Sequence, residues 1–121
     1  MISTRLIGQA GEDIAVKYLK DHGYEILDRN FSTSVGEIDI IVAGDGYLVF
    51  VEVKLRFSDD YGYGADAVNH IKQRKISQVA SQYIHKYRLF DEAVRFDVIE
   101  VYTSDKRVVH IENAFDSFLR Y

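Results

Sequence analysis

The sequence has no cysteine and no proline, and it has no apolar run long enough to cross a membrane. Without cysteine, neither a disulfide framework nor thiolate chemistry is available. The N-terminal residues also lack the hydrophobic region of a signal peptide, so we expect a cytoplasmic protein that does not enter a membrane. No repeat, low-complexity tract or linker interrupts the chain, and residues 1–121 are therefore expected to form one domain.

A strong excess of one charge is also missing, because the formal net charge is only −4. This charge is unevenly distributed along the chain. Residues 66–90 carry five basic side chains against the single acid Asp66, a local charge of +4, which leaves −8 for the remainder. Such a basic helix on an acidic protein either faces phosphate groups or is simply solvated, and charge alone favours the solvated face.

Hydrophobic periodicity and turn residues predict the order helix, three strands, helix, two strands. The first three strands have short connections and are expected to form an antiparallel meander, whereas the second helix returns the fourth strand parallel to the third. The expected fold is therefore α/β, with a mixed sheet flanked by helices. The predicted helices cover residues 4–21 and 66–88, and Asp66 lies near the start of the second. A further short helix is predicted at the C-terminus. The predicted strands cover residues 24–31, 37–43, 47–55, 93–102 and 107–112.

Four charged residues lie within the two central strands, which otherwise have the composition of buried strands. The Asp-Gly pair at 45–46 favours a two-residue type I′ turn between these strands, because both turn positions need a positive φ. With this turn, the numbers of opposing residues sum to 91, which places Asp39 opposite Glu52 and Glu37 opposite Lys54. The turn therefore predicts that two carboxylates and a lysine lie close together.

Period-two alternation predicts that these charges share one face of the sheet with Ile41 and Phe50. Opposed like charges destabilise a sheet unless a cation or a proton lies between them, and a one-residue slip would move them to the apolar face. The alternative is an ion-pair network that closes the end of the sheet, but buried ion pairs stabilise proteins weakly because desolvation is costly. The apolar face is predicted to carry Ile38, Ile40, Val42, Val49, Val51 and Val53.

Each predicted helix places one charged residue on its apolar side. Helical periodicity puts Glu12 on the core-facing side of the first helix, near Gly8 and Gly11, and Lys72 in the middle of the apolar stripe of the second. The position of Lys72, taken alone, is explained by a side chain that buries its aliphatic stem and extends its ammonium group to solvent. The position of Glu12, taken alone, is explained as well by chance as by a function. Together with the hairpin, the two residues indicate a shared site.

Carboxylates that meet at one point of a sheet suit a hard divalent cation. Asp39 and Glu52 offer the oxygen ligands that Mg²⁺ or Mn²⁺ takes, and such an ion polarises a phosphodiester and lowers the pKa of its bound water. Lys54 would orient that water or stabilise the charge of the transition state, Glu12 would complete the metal shell through water, and Lys72 would hold a phosphate. The four histidines have no metal-type spacing and are expected at the surface.

Asp39, separated by twelve residues from Glu52-Val53-Lys54, resembles the D…ExK signature of the PD-(D/E)xK nuclease superfamily. The predicted element order is similar to the αβββαβ core of that superfamily, and a Glu in the first helix resembles the arrangement in archaeal Holliday-junction resolvases. Over nearly its whole length the chain resembles the YraN-like bacterial family, which has a restriction-endonuclease-like fold. The matching stretches are "GQAGEDIAVKYL", "GYEILDRNF", "GEIDIIV", "LVFVEVKLR", "YGYGADAV", "IKQRKISQVASQYI", "RFDVIEV" and "HIENAFD".

The resemblance implies a restriction-endonuclease-like αβββαβ core with nuclease chemistry. In the superfamily's pattern Asp39, Glu52 and the backbone carbonyl of Val53 would bind the metal, Lys54 would be catalytic, and Glu12 would be an accessory acid. No proline precedes the first acid of the signature, a departure that leaves the acids and the lysine intact.

The expected function is a Mg²⁺- or Mn²⁺-dependent endonuclease acting on DNA rather than RNA, on branched or damaged structures. Nucleic-acid contacts are expected from Lys72, Lys75 and Arg56, and from Tyr61 and Tyr63 in the loop after the third strand, although loop tyrosines also commonly pack. One alternative is an accessory protein of DNA repair or recombination that binds nucleic acid without turnover, and another is a structural interaction module. Because the resolvases act as dimers, the resemblance also raises a homodimer, for which the residues show no self-complementary surface.

Overall fold

The computed structural model describes residues 4–57 and 69–116. Within these ranges the order of elements is the predicted one, and each strand agrees with its prediction to within one residue at either end. The elements are α1 (Thr4–Asp21), β1 (Glu25–Ser32), β2 (Glu37–Gly44), β3 (Tyr47–Arg56), α2 (His70–Tyr87), β4 (Val94–Tyr102) and β5 (Val108–Ile111).

The two helices end where local hydrogen bonding ends them. Gly23, whose φ is +87°, closes α1, and the next backbone N–H, that of Tyr24, donates to the Leu19 carbonyl. At the start of α2 the side chain of Asn69 accepts a hydrogen bond from the Lys72 N–H. The prediction that α2 starts near Asp66 is therefore wrong, because Asn69 supplies the better-placed cap, and residue 66 itself lies outside the described ranges.

The helix predicted at the C-terminus is not formed over residues 113–116, which lie in a turn and a bend. The remainder of that predicted helix lies outside the described residues. In the part of the chain that the structure describes, no helix is both long and apolar enough to cross a membrane.

The five strands form one sheet in the order β1-β2-β3-β4-β5. All neighbours are antiparallel except β3 and β4, which are parallel because α2 crosses over between them. The hairpin of β2 and β3 has the predicted register, from Gly44 opposite Tyr47 to Ile40 opposite Val51. Asp45 and Gly46 have φ values of +56° and +81°, as a type I′ turn requires.

The sheet is covered on its two faces by different helices, and each face has its own apolar cluster. The α1 face buries Ala15, Val16, Leu19, Ile40, Val42, Val49, Val51, Ile99 and Val101. The α2 face buries Ile38, Ile41, Leu48, Phe50, Phe96 and Val98 against Ile76, Val79, Ala80, Tyr83 and Ile84.

One side chain lies on the face opposite to its prediction. Ile38 was expected beside Ile40, but it packs on the α2 face, where its partner on β1 is Phe31. Asn30 of β1 lies between the pairs Arg29–Ile40 and Phe31–Ile38, and it adopts a left-handed conformation with a φ of +53°. Strict alternation therefore breaks at Asp39, the residue of β2 that lies opposite Asn30.

Candidate functional site

The candidate site lies where β2 and β3 stop pairing. Beyond Ile40 and Val51 the regular pairing of the two strands is not continued. The backbone N–H of Val53 donates instead to Oδ2 of Asp39 at 2.8 Å. In an antiparallel ladder every second pair of opposed residues is joined by backbone hydrogen bonds. The carboxylate of Asp39 therefore occupies the position that a backbone carbonyl of β2 would take if the ladder continued. This bond fixes the Asp39 side chain at the end of the hairpin.

The carboxyl group of Glu52 lies directly against that of Asp39 and forms a hydrogen bond with it. Burial, together with the neighbouring Asp39, raises the pKa of Glu52 to about 8. Burial also raises the pKa of Asp39, although the Val53 N–H acts in the opposite direction. Without a cation, the two groups therefore share one proton near neutral pH and titrate as a pair. The prediction that these two acids meet is confirmed.

Two lysines face this pair from β3 and α2. Lys54 and Lys72 are close enough to interact with each other, and both interact electrostatically with Glu52. Burial, together with the adjacent ammonium group of Lys72, lowers the pKa of Lys54 to about 8. The predicted pairing of Lys54 with Glu37 is wrong, because the strands have separated there and exposed Glu37 accepts a hydrogen bond from Ser32 at 3.0 Å instead.

Glu12 approaches the site from α1. Its side chain is only 18% exposed and lies 3.8 Å from Arg29. Burial and the nearby charge of Asp39 raise the pKa of Glu12. The adjacent Gly11 allows this close approach of helix and sheet, because a Cβ there would collide with Leu55 of β3. The wheel prediction therefore placed Glu12 on the correct side of α1.

The donor set fits a hard divalent cation. In residues 4–57 and 69–116 no group of three or more Asp, Glu or His side chains is arranged to hold a metal ion by itself. Mg²⁺ is commonly bound by one or two carboxylates and keeps several waters, which matches the pair Asp39 and Glu52. A buried and a half-buried acid that otherwise share a proton would both ionise beside a cation. Ligation by the Val53 carbonyl and by Glu12 stays a prediction.

The residues predicted to contact nucleic acid differ in their exposure and in their bonding partners. Arg56 donates from Nε and Nη2 to Oε2 of Glu100, at 3.0 and 2.8 Å, so its guanidinium group is held against the sheet. Lys75 is exposed on α2 and lines a surface cavity of about 330 Å³. Tyr61 and Tyr63 lie outside the described residues. A role in binding stays a prediction for all of them, as it does for Lys72.

A second buried polar group, centred on Asp97 of β4 opposite Val51, escaped the sequence analysis. Asp97 is 1% exposed and accepts hydrogen bonds from Arg95 at 2.9 Å, while His110 Nε2 lies 2.7 Å from it. The prediction that all four histidines lie at the surface is therefore wrong for His110, whose side chain is 8% exposed. The opposite charges of Arg95 and Asp97, at alternate positions of a largely apolar strand, were the signal that could have revealed this network.

The order α1-β1-β2-β3-α2-β4-β5, with one mixed five-stranded sheet between two helices, defines an α/β protein with acids on β2 and β3 and a lysine two residues after the second acid. The chain belongs to the family described as "Uncharacterised protein family UPF0102", whose model matches residues 11–101.

Members of this family from several bacteria are similar over almost their whole length. The UPF0102 protein of Clostridioides difficile is 47% identical over 108 residues, covering 89% of this chain and 95% of that protein. The relative in Persephonella marina is 45% identical over 109 residues, covering 90% and 92% respectively. The relative in Alkaliphilus oremlandii is 48% identical over 113 residues, covering 90% and 97%.

Two solved structures are also similar to this chain. SSO0001 has a TM-score of 0.43 and 14% identity, and the match covers 93% of this chain but only 54% of that one. Pyrococcus furiosus SfsA, solved in complex with Ca²⁺, has a TM-score of 0.37 and 16% identity, and the match covers 93% of this chain and 64% of that one.

Proposed function

We propose that this protein is a Mg²⁺- or Mn²⁺-dependent endonuclease that hydrolyses phosphodiester bonds of DNA. The observation that carries the proposal is the buried contact between the carboxyl groups of Asp39 and Glu52, with Lys54 beside them. Such a contact destabilises the metal-free fold, so structural stability is a poor explanation for it. A site that binds a cation and a phosphate explains all three side chains.

Each side chain has a distinct task in this proposal. Asp39 and Glu52 would hold the cation, and the hydrogen bond from Val53 keeps Asp39 aimed at it. A divalent cation held there would polarise the phosphodiester and lower the pKa of a coordinated water. Lys54, whose pKa is lowered to about 8, exchanges its proton near neutral pH and would stabilise the charge that builds on the phosphate.

The charge distribution supports a substrate that approaches along α2. Lys72 reaches the acids from this helix and would hold a phosphate next to the cleaved bond. Exposed Lys75, one turn further along the same helix, would contact the backbone of the same strand. Because the rest of the chain is acidic, binding should be weak and sensitive to salt. We propose branched or damaged DNA as the substrate and a homodimer as the active form.

The test is a panel of linear, nicked, flapped and four-way DNA and RNA substrates, incubated with Mg²⁺, Mn²⁺ or EDTA. Cleavage should need the cation and fall by about 10²-fold or more in Asp39→Asn and Glu52→Gln. Glu25→Gln is the matched control, since this exposed carboxylate on β1 lies opposite Ala43, beside the turn and away from the acid pair, and it should retain activity.

Two results would overturn the proposal. Cleavage that persists in both acid variants would come from a contaminating nuclease. Binding without cleavage on every substrate would instead identify an accessory protein that uses the same site without turnover.

A further inference from the structure

A polar pocket of about 530 Å³ opens beside the acid pair, between α1 and the β1–β2 end of the sheet. Its size lies within the range of about 300–1,000 Å³ that is typical of ligand sites. The proposed chemistry uses only one of its lining residues. The pocket is lined by Arg5, Gly8, Gln9, Glu12, Asn30 and Glu37.

We propose that this pocket binds one unpaired nucleobase that carries an exocyclic amino group, next to the phosphate to be cleaved. The proposal rests on the proposed function for the identity of its ligand, a nucleic-acid strand. Adenine, cytosine and guanine carry such an amino group, and thymine does not. The pocket would therefore give the enzyme a preference for substrates in which such a base is free of its partner.

The position of the pocket supports a base that neighbours the reacting phosphate. Glu12 and Glu37, from opposite walls, both interact electrostatically with Asp39. A strand whose phosphate lies at Asp39 would therefore bring an adjacent nucleotide to the mouth of the pocket. Asn30, which adopts a left-handed backbone conformation between the pairs Arg29–Ile40 and Phe31–Ile38, lines the same pocket, and its amide favours the ionised form of Glu12, acting against the burial that raises the pKa of that acid.

The charges of the lining favour a base over a phosphate. Two carboxylates and one guanidinium group, that of Arg5, give the walls a net negative charge, which repels an anion. Carboxylates accept hydrogen bonds from exocyclic amino groups, as they do from the N4 of cytosine. The amides of Gln9 and Asn30 both donate and accept, which suits the edge of adenine.

The base must be unpaired because the same edge is used for pairing in a duplex. Proteins that read this edge act on single strands or extrude the nucleotide from the helix. Gly8 lies in the lining with open space around it, since a Cβ there would meet nothing within 4 Å. A large side chain at this position would fill the pocket without touching the acid pair.

The experiment is an NMR titration of the full chain, labelled with ¹⁵N, in EDTA. The probes are single-stranded homopolymers of adenine, cytosine or thymine nucleotides. Only seven side-chain amides are present, from three asparagines and four glutamines, so those of Gln9 and Asn30 can be assigned by substitution. We expect these two signals to shift with the adenine and cytosine strands, with affinities about tenfold higher than for thymine.

Variants at the pocket provide the second arm. Gly8→Leu should abolish the shifts, and Gly8→Ala, which leaves most of the pocket open, should retain them. Gln9→Ala, at an exposed position, should weaken adenine binding and would serve if Gly8→Leu does not fold. Equal affinity for the three homopolymers, unmoved Gln9 and Asn30 signals, or normal binding by the folded variants would overturn the inference.

Because EDTA prevents turnover, this titration is independent of cleavage. Selective base binding by a protein that cleaves no substrate would retain the pocket and reject the nuclease. Metal-dependent cleavage with no response of the two amides would do the reverse.

Discussion

The most direct consequence of the acid pair is that the metal-free protein should lose stability as the pH rises from about 4.5 to about 8. A carboxylic acid whose pKa is raised in the folded state contributes stability below its unfolded pKa, and that contribution disappears as the pH rises through the folded value. For Glu52 these values are 4.5 and about 8. At 1.36 kcal/mol per pKa unit, the loss is on the order of 5 kcal/mol.

Glu52→Gln should remove this loss. The amide imitates the protonated acid, because it is neutral and can donate a hydrogen bond to Asp39. We expect the variant and the wild type to be similar in stability near pH 4.5 and to diverge steadily above it. At pH 8 the variant should be the more stable by several kcal/mol, a large share of the 5–15 kcal/mol typical of a whole domain.

The assay is urea unfolding in EDTA at a series of pH values, for wild type, Glu52→Gln and the control Glu25→Gln. The control removes a carboxylate from an exposed position of the neighbouring strand β1 and should follow the wild type. Addition of Mg²⁺ at pH 8 should raise the melting temperature of the wild type and leave Glu52→Gln unchanged. Parallel pH profiles for wild type and Glu52→Gln would refute the reasoning.

Three further predictions concern other parts of the chain. In urea unfolding Gly11→Ala should be less stable than Gly8→Ala by about 1–2 kcal/mol, because a Cβ at position 11 collides with a leucine of β3; equal stabilities would contradict this. Asp97→Asn should cost about 2–3 kcal/mol of unfolding free energy at pH 7, because it removes the buried member of the three carboxylates that pair with Arg95. Hydrogen bonds from His110 and that arginine outweigh burial and hold the pKa of Asp97 below its usual range, so the wild-type advantage should vanish as the pH falls through the folded value. An advantage that persists at lower pH would disprove the pairing. Lys75→Gln should reduce by about 1 the slope of log binding constant against log salt concentration for DNA, measured by fluorescence anisotropy. Lys17→Gln, in an exposed ion pair on α1, should leave this slope unchanged.

The central hairpin was predictable because its register depends on a local signal. Asp45 and Gly46 determine the turn, the turn determines which residues oppose each other, and the meeting of Asp39 with Glu52 follows. Glu12 was predictable for a similar reason, since helical periodicity alone decides which side of α1 it occupies. Most of the candidate site thus follows from short-range patterns.

The remainder depends on contacts between distant parts of the chain. Ile38 lies on the unexpected face because Asn30 of β1 interrupts the alternation of its neighbour, and single-strand periodicity carries no trace of this. His110 is buried because β5 brings it to Asp97 on the adjacent strand, thirteen residues away. The beginning of α2 was misassigned because Asp66 and Asn69 are both good capping residues, and the choice between them is not local.

The hydrogen bond from the main chain of β3 to Asp39 bears on how selective the centre would be among ions. A carboxylate that is hydrogen-bonded to a backbone amide loses its side-chain conformational entropy on folding, so the binding of an ion does not have to order it again. The same anchoring leaves little room to adjust ligand spacing to a larger radius. We therefore expect Ca²⁺, which prefers longer bonds and more ligands, to occupy this place less effectively than Mg²⁺.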